Sequence, residues 1–133
     1  MGVTYLDSCV LIYAVEDDGP RGAHVRQRLA DASEQTFVIS PLVKMECLVG
    51  PLRNDDLALH DHYLEAFAQF GSVDIAAGQY LRAAELRARH RLSAPDALHL
   101  ATAQANHCDE LWTNDARLQT VSRGLAVDVM SDP

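Results

Sequence analysis

The chain has 133 residues, with eleven basic and nineteen acidic side chains and a formal net charge of −8. A composition of 48% hydrophobic and 23% charged residues excludes a disordered or collagen-like chain, and the length suits one domain over residues 1–133. The acidic excess argues against a broad basic surface, and we find neither a membrane-length apolar run nor an export leader, so we expect a soluble protein without membrane contact.

Short β-prone segments alternate with longer helical patterns along the chain. The predicted strands are Val3–Leu6, Phe37–Ile39, Ser72–Ile75, Glu110–Thr113 and Ala126–Val129. The predicted helices cover residues 8–15, 21–34, 41 onward, a segment capped by Asn54 that ends at Gly71, residues 76–90, 94 onward and 114–121. Strands separated by helices predict a parallel sheet covered on both faces, a three-layer α/β/α domain.

The cysteines indicate a reducing compartment. Cys9, Cys47 and Cys108 are odd in number, widely spaced and free of any CxxC pair. This pattern argues against both a disulfide framework and a structural zinc site. We therefore expect a cytoplasmic protein.

Four carboxylates fall where open parallel sheets bind ligands, outside the carboxyl ends of the strands. Asp7 directly follows the first strand, and Asp115 lies two residues beyond the end of the fourth. Asp96 lies in the first turn of its helix. Glu46 lies six residues past Ser40, roughly 9 Å along its helix, with a side chain that leans back toward the same edge.

Each of these acids also has a purely structural interpretation. Asp96 is the last residue of Ser93-x-x-Asp96, a capping-box arrangement, and Asp115 suits the N-cap of the final helix. Asp7 could form an Asx-turn at a strand end. Glu46 lies in a helix that is otherwise nearly all apolar, so it either reaches water at the helix edge or carries a buried charge that needs a partner.

Taken together, four converging carboxylates would repel one another unless a cation joins them. The only lysine, Lys44, is on a different helix face from Glu46. Oxygen ligands without a His/Cys cluster favour Mg²⁺ or Mn²⁺, and such ions position a water for in-line attack on a phosphodiester. No serine–histidine or cysteine–histidine pairing offers an obvious nucleophile instead, so the residues indicate metal-assisted phosphodiester hydrolysis.

Four segments in chain order resemble the signature blocks of the PIN domain. They are Tyr5-Leu6-Asp7-Ser8-x-x-Leu11-Ile12, Ser40-x-x-x-x-x-Glu46, Pro95-Asp96-Ala97-x-x-x-Ala101-Thr102-Ala103 and Thr113-Asn114-Asp115-x-x-Leu118. Their order and spacing are similar to those of the VapC-type toxins of bacterial toxin–antitoxin pairs. The resemblance extends from about residue 3 to residue 129.

The resemblance implies a Mg²⁺- or Mn²⁺-dependent endoribonuclease with a mainly parallel five-stranded sheet in the order 3-2-1-4-5. By position, Asp7, Glu46 and Asp96 would be the core metal ligands, and Asp115 the fourth acid. The hydroxyls of Ser8 and Thr113 would support metal or phosphate. The resemblance also implies a homodimer, inhibition by a cognate antitoxin, and contact with operator DNA only through that antitoxin.

Three further features have competing interpretations. His99, one helical turn after Asp96, could contact RNA or a metal's outer sphere, but a histidine packed at the rim of the core is the more common case. The basic stretch from Arg82 to Arg91 could hold RNA phosphates or form a solvated helix face. Apolar residues on several faces of the helices over 41–70 could form a partner surface for a second subunit or an antitoxin.

Two other functions stay open at this stage. A PIN-like fold could serve as a catalytically silent binding or regulatory module, although all four acids are present. A phosphohydrolase with Asp7 as nucleophile is weakened because Cys9 stands where the haloacid-dehalogenase pattern has a second aspartate. A phospho-acceptor receiver is weaker still, since no lysine lies near the last strands.

Overall fold

The computed structural model describes residues 2–130. Within them the strands are β1 (Val3–Leu6), β2 (Thr36–Ile39), β3 (Gly71–Ser72), β4 (Glu110–Thr113) and β5 (Ala126–Asp128). The helices are α1 (Ser8–Glu16), α2 (Pro20–Asp31), α3 (Pro41–Arg53), α4 (Leu57–Phe67), α5 (Ala77–His90), α6 (Ala94–Ala105) and α7 (Ala116–Val121). None of these helices is long and apolar enough to cross a membrane.

The five strands form one sheet in the order β3-β2-β1-β4-β5, and every neighbouring pair is parallel. This arrangement confirms the predicted fold class and strand order. The strand order reverses direction at β1, and right-handed crossovers therefore place α1–α4 on one face and α5–α7 on the other. The contacts agree, since α1 packs on α2 and α3, α3 packs on α4, and α5 packs on α6.

Two helix starts follow the chemistry of their first residues. The Ser40 hydroxyl accepts a hydrogen bond from the Val43 amide, and Pro41 occupies the first helical position of α3. The Ser93 hydroxyl accepts from the Asp96 amide and begins α6 in the same way. Both starts lie at the carboxyl edge of the sheet, which fixes where Glu46 and Asp96 emerge.

The prediction around Asn54 was wrong. Asn54 is the C-cap of α3, and the side chain of Asp56 caps α4 by accepting from the Leu59 amide at 3.0 Å. The helix α3 extends to Arg53 although it contains Pro51, because the missing N–H removes one hydrogen bond without ending the helix. The helix α4 ends at Phe67, four residues before the predicted end at Gly71.

The third strand is also shorter than predicted. Instead of covering residues 72–75, β3 pairs with β2 only through Val38↔Gly71 and Ile39↔Ser72. It lies at the edge of the sheet, where one neighbour supplies all its pairing, and the chain leaves after the Val73 amide has donated to the Ile39 carbonyl. The last helix starts two residues later than predicted, because Asp115 is its N-cap.

Candidate metal centre

Asp7 lies where β1 ends and α1 begins, and both of its carboxylate oxygens are held. Oδ1 accepts a hydrogen bond from the Ser8 amide at 2.7 Å, and Oδ2 accepts from the Thr113 hydroxyl at 2.8 Å. The side chain is almost wholly buried, with a residue exposure of 7%. A carboxylate with two fixed donors and little solvent is oriented before any ligand arrives.

Glu46 meets Asp7 across the sheet edge through a buried histidine. Nε2 of His99 lies 2.6 Å from Oε1 of Glu46 and 3.5 Å from Oδ1 of Asp7. One ligand atom from each of these three residues falls within 4.8 Å of the others. The sequence allowed two environments for Glu46, either water at the helix edge or a buried site with a partner for its charge. The structure shows both, since the side chain is 27% exposed and His99 is its partner.

Behind His99 runs a chain of buried hydroxyls. Its Nδ1 lies 2.7 Å from the Tyr5 hydroxyl, which lies 2.7 Å from the Ser40 hydroxyl. A carboxylate accepts hydrogen bonds, so the Nε2–H of His99 donates to Glu46. If the His99 ring is neutral, its Nδ1 accepts from the Tyr5 hydroxyl, and the Tyr5 oxygen accepts from the Ser40 hydroxyl. A protonated ring reverses the two inner bonds and leaves every atom paired. The hydroxyls of Tyr5 and Ser40 therefore fix the His99 ring, and the ring orients Glu46.

The electrostatics of His99 and Tyr5 follow from their surroundings. Burial favours the neutral form of His99, but its hydrogen bond to Glu46 and the charges of Asp7 and Glu46 together outweigh burial, so the pKa of His99 is raised. Burial also raises the pKa of Tyr5. Tyr5 therefore keeps its proton and serves as a donor in this hydrogen-bond network.

Asp96 and Asp115 form the second half of the cluster, and both are half-buried. Burial raises the pKa of Asp96 to about 6, opposed by the Ser93 hydrogen bond and reinforced by the charge and hydrogen bonding of Asp115 and the charge of Asp7. Asp115 caps α7, and its Oδ1 accepts from the Arg117 amide at 2.8 Å. The capping interpretation is thus correct for Asp115. At α6 the Ser93 hydroxyl caps the Asp96 amide, but within residues 2–130 we find no reciprocal bond from the Ser93 amide to the Asp96 carboxylate, so the capping box is incomplete. Capping does not remove the repulsion between the two carboxylates.

Thr113 connects the two halves. Its hydroxyl donates to Oδ2 of Asp7 and accepts from the Asp115 amide at 3.1 Å. Ser8 contributes mainly its amide, because its hydroxyl lies at the longer distance of 3.4 Å from Asp7. Both residues therefore position Asp7, whereas a direct role toward metal or phosphate, which the resemblance implies, stays a prediction.

The donor set suits a divalent cation. Across residues 2–130, no arginine or lysine forms an ion pair with any of the four acids, and Lys44 instead donates to Ser72. The basic side chain beside the cluster is instead His99, which contacts Glu46 and Asp7. Converging carboxylate oxygens match the hard-ligand preference of Mg²⁺ and Mn²⁺. Burial first, and then the charges of Asp115 and Asp7, raise the pKa of Asp96, and a bound cation would favour its ionised form.

Sequence reasoning missed the role of Tyr5 and Ser40. Tyr5 lies in the predicted first strand and Ser40 in the second PIN-like block, and neither position indicated a contact with the His99 network. The one signal in the sequence was a histidine one turn after Asp96. It is fully buried rather than at the rim, and it touches both Asp7 and Glu46.

The fold and site together define an open parallel α/β protein with an acidic centre at the carboxyl edge of its sheet. The PIN domain family model matches residues 4–124, and the chain belongs to that family. This finding confirms the resemblance drawn from the four sequence blocks. A comparison with curated proteins finds no match.

Solved structures with the same fold include toxin–antitoxin proteins. A chain of a toxin–antitoxin complex from Klebsiella pneumoniae is 27% identical, with a TM-score of 0.77 over 95% of this chain and 97% of that one. A chain of VapBC2 from Rickettsia felis, solved with a promoter DNA fragment, is 19% identical, with a TM-score of 0.78 over 94% and 97%. VapC20 from Mycobacterium tuberculosis, a sarcin–ricin loop cleaving toxin, is 15% identical, with a TM-score of 0.74 over 88% and 93%.

Proposed function

We propose that the chain is a metal-dependent endoribonuclease, the toxin of a toxin–antitoxin pair, that hydrolyses RNA phosphodiester bonds with water. The observation that carries the proposal is the cluster of Asp7 and Glu46 beside Asp96 and Asp115 at the carboxyl edge of a PIN-domain sheet. The relative that is 27% identical comes from a toxin–antitoxin complex, and a more distant one cleaves the sarcin–ricin loop. Both fit this activity.

In this proposal Asp7, Glu46, Asp96 and Asp115 hold Mg²⁺ or Mn²⁺. These residues would hold the ion, and its chemistry there would be Lewis-acid polarisation of a water and of the scissile phosphate. The protein's own part is to hold the ligands. Ser8 and Thr113 fix Asp7 from two sides, and His99 fixes Glu46. Ligands that are fixed in advance need little reorganisation when the ion and substrate bind.

The proposed partners are a cognate antitoxin and a second copy of the chain, with operator DNA reached only through the antitoxin. Exposed apolar side chains on α3 support a partner surface. Met45, Val49 and Leu52 are 59%, 42% and 58% exposed and follow one another at helical spacing. The three free thiols suit a reducing cytoplasm.

The test is cleavage of a mixed RNA pool with Mg²⁺ or Mn²⁺, and with EDTA. We expect cleavage only with metal, and none above background for Asp96→Asn, whose amide loses the charge that the ion needs. Asp31→Asn is the matched control, because Asp31 is an exposed acid of α2, and it should cut as the wild type does. Full activity of Asp96→Asn or in EDTA would contradict the proposal. No cleavage of any RNA, with the fold intact, would favour the silent binding module.

A further inference from the structure

Charge is distributed unevenly between the two helical layers. Residues 1–76, which hold β1–β3 and α1–α4, contain five basic and twelve acidic residues. Residues 77–123, which hold α5–α7 and β4, contain six arginines and five acids, and two of those acids are Asp96 and Asp115 of the proposed centre. Although the net charge is −8, the second layer therefore has more basic than acidic residues once Asp96 and Asp115 are set aside.

Much of this surplus faces a single cavity. A cavity of about 230 Å³ lies between α5, the end of α6 and the end of α7. Its basic lining residues are Arg82, Arg89, His90 and Arg123, which we call the basic pocket. Arg82 pairs with Glu85 and contacts Gln104, whereas within residues 2–130 no carboxylate forms an ion pair with Arg89 or Arg123.

The size and chemistry of the basic pocket suit a phosphate group. The volume is below the roughly 300–1,000 Å³ typical of pockets for organic ligands. Guanidinium groups match the geometry of phosphate oxygens and hold them by paired hydrogen bonds. Gln104, which also lines the cavity, adds a side-chain amide that can donate to an oxyanion.

The position of the basic pocket relates it to the carboxylate cluster. Asp115 caps the start of α7, and Val121 to Arg123 at the other end of that helix line the pocket. Six helical residues span about 9 Å. A polyanion whose scissile bond lies at the carboxylates can therefore reach the pocket with a neighbouring part of its backbone.

We infer that the basic pocket binds a backbone phosphate of the RNA at a distance from the scissile bond. The inference rests on the proposed ribonuclease function. It also supplies attraction for RNA away from the acidic edge, whose carboxylates repel a polyanion when no cation is bound. An acidic peptide could also meet arginines, but the RNA is the polyanion that the proposed reaction already brings to the adjacent helix.

The test measures binding of a fluorescent twelve-nucleotide oligouridylate to the full chain in EDTA, over a range of salt. The pocket variant is Arg89→Gln with Arg123→Gln. The control is Arg21→Gln with Arg53→Gln, two exposed arginines of the acidic layer that remove the same charge. Circular dichroism and thermal melting verify that both variants fold.

We expect the pocket variant to bind the RNA about tenfold more weakly. The slope of log K against log salt should fall in magnitude by about 1.4, because each of the two lost arginine–phosphate contacts lowers that slope by about 0.7 for a single strand. The control should change binding less than twofold. With Mg²⁺ present, the pocket variant should raise KM and leave kcat unchanged, because binding there is the same in substrate and transition state.

Two results would overturn the inference. One is an equal loss of binding in the pocket and control variants, which would mean that only overall charge matters. The other is tighter, pocket-dependent binding of a twelve-residue glutamate peptide, which would identify a protein partner. Failure of the proposed function has a different signature, since a chain that never cleaves RNA in Mg²⁺ can still show pocket-dependent binding in EDTA.

Discussion

The two halves of the carboxylate cluster are built differently. The inner pair, Asp7 and Glu46, is held by fixed donors from the strand ends and from His99. In the outer pair, Asp96 and Asp115, burial is the main cause that raises the pKa of Asp96 to about 6, and the neighbouring Asp115 carboxylate adds to it. The difference is that hydrogen bonds within the protein position the inner pair, whereas the surroundings of Asp96 disfavour its ionised form.

The largest expected effect comes from breaking the inner pair. Asp7→Asn should weaken Mn²⁺ binding by about 100-fold, and Asp115→Asn by only about tenfold. Mutation of a group that merely supports a metal ligand typically costs about 10–100-fold in metal affinity, and losing the ligand itself should cost at least as much. Isothermal titration of the full chain measures both. Glu34→Gln, an exposed acid outside the site, is the control and should bind as the wild type does. Equal losses for the inner and outer substitutions would contradict the distinction.

The next effect tests whether the hydroxyl chain positions Glu46. Tyr5→Phe removes the hydroxyl between His99 and Ser40 and should weaken Mn²⁺ binding by about tenfold. It should also cost about 1–3 kcal/mol of folding free energy by leaving buried polar atoms unpaired. Tyr80→Phe, at a residue 57% exposed, is the control. Lost stability with unchanged Mn²⁺ affinity would reduce Tyr5 to a core residue.

The smallest expected effect concerns stability without metal. In the folded chain the pKa of Asp96 is raised from 3.8 to about 6, so its ionised form is disfavoured and stability falls as pH rises through that interval. In EDTA at pH 7.5, Asp96→Asn should therefore stabilise the fold by about 1 kcal/mol, after allowing for solvent screening of a half-exposed group. The gain should vanish below pH 4.

Thermal melting in EDTA checks this prediction, with Asp31→Asn as the matched control. The expected gain in Tm at pH 7.5 is a few degrees, on the order of 2–8 °C per kcal/mol for domains of about this size. A lower Tm for Asp96→Asn would contradict this prediction. It would show that the Asp96 charge stabilises the start of α6 by more than burial and repulsion from Asp115 destabilise the fold.

The sequence predicted the parts of this site that depend on local rules. Strand ends, helix starts and the rule that parallel sheets bind ligands at their carboxyl edge predicted that the four acids converge, and the contacts among them agree with that convergence. The contacts of Tyr5 with His99 and Ser40 join residues 94 and 35 positions apart. No periodicity encodes such pairs, because they arise only when β1, α3 and α6 pack together.

The errors had local causes too. Asn54 and Asp56 are both good caps, and only the extent of α3 past Pro51 decides which one begins α4. The edge strand β3 was predicted too long because β-prone residues continue past Ser72, where β2 offers no further pairing. Neither error moved a carboxylate of the site.

The most direct measurement of the central claim uses water labelled with ¹⁸O. A single turnover of RNA in H₂¹⁸O with Mn²⁺, followed by mass spectrometry of the fragments, should give a terminal monophosphate that carries one ¹⁸O, because water attacks phosphorus. The product should be absent with EDTA and with Asp7→Asn. Unlabelled fragments ending in a 2′,3′-cyclic phosphate, or labelled product formed in EDTA, would contradict hydrolysis at a carboxylate-held metal ion.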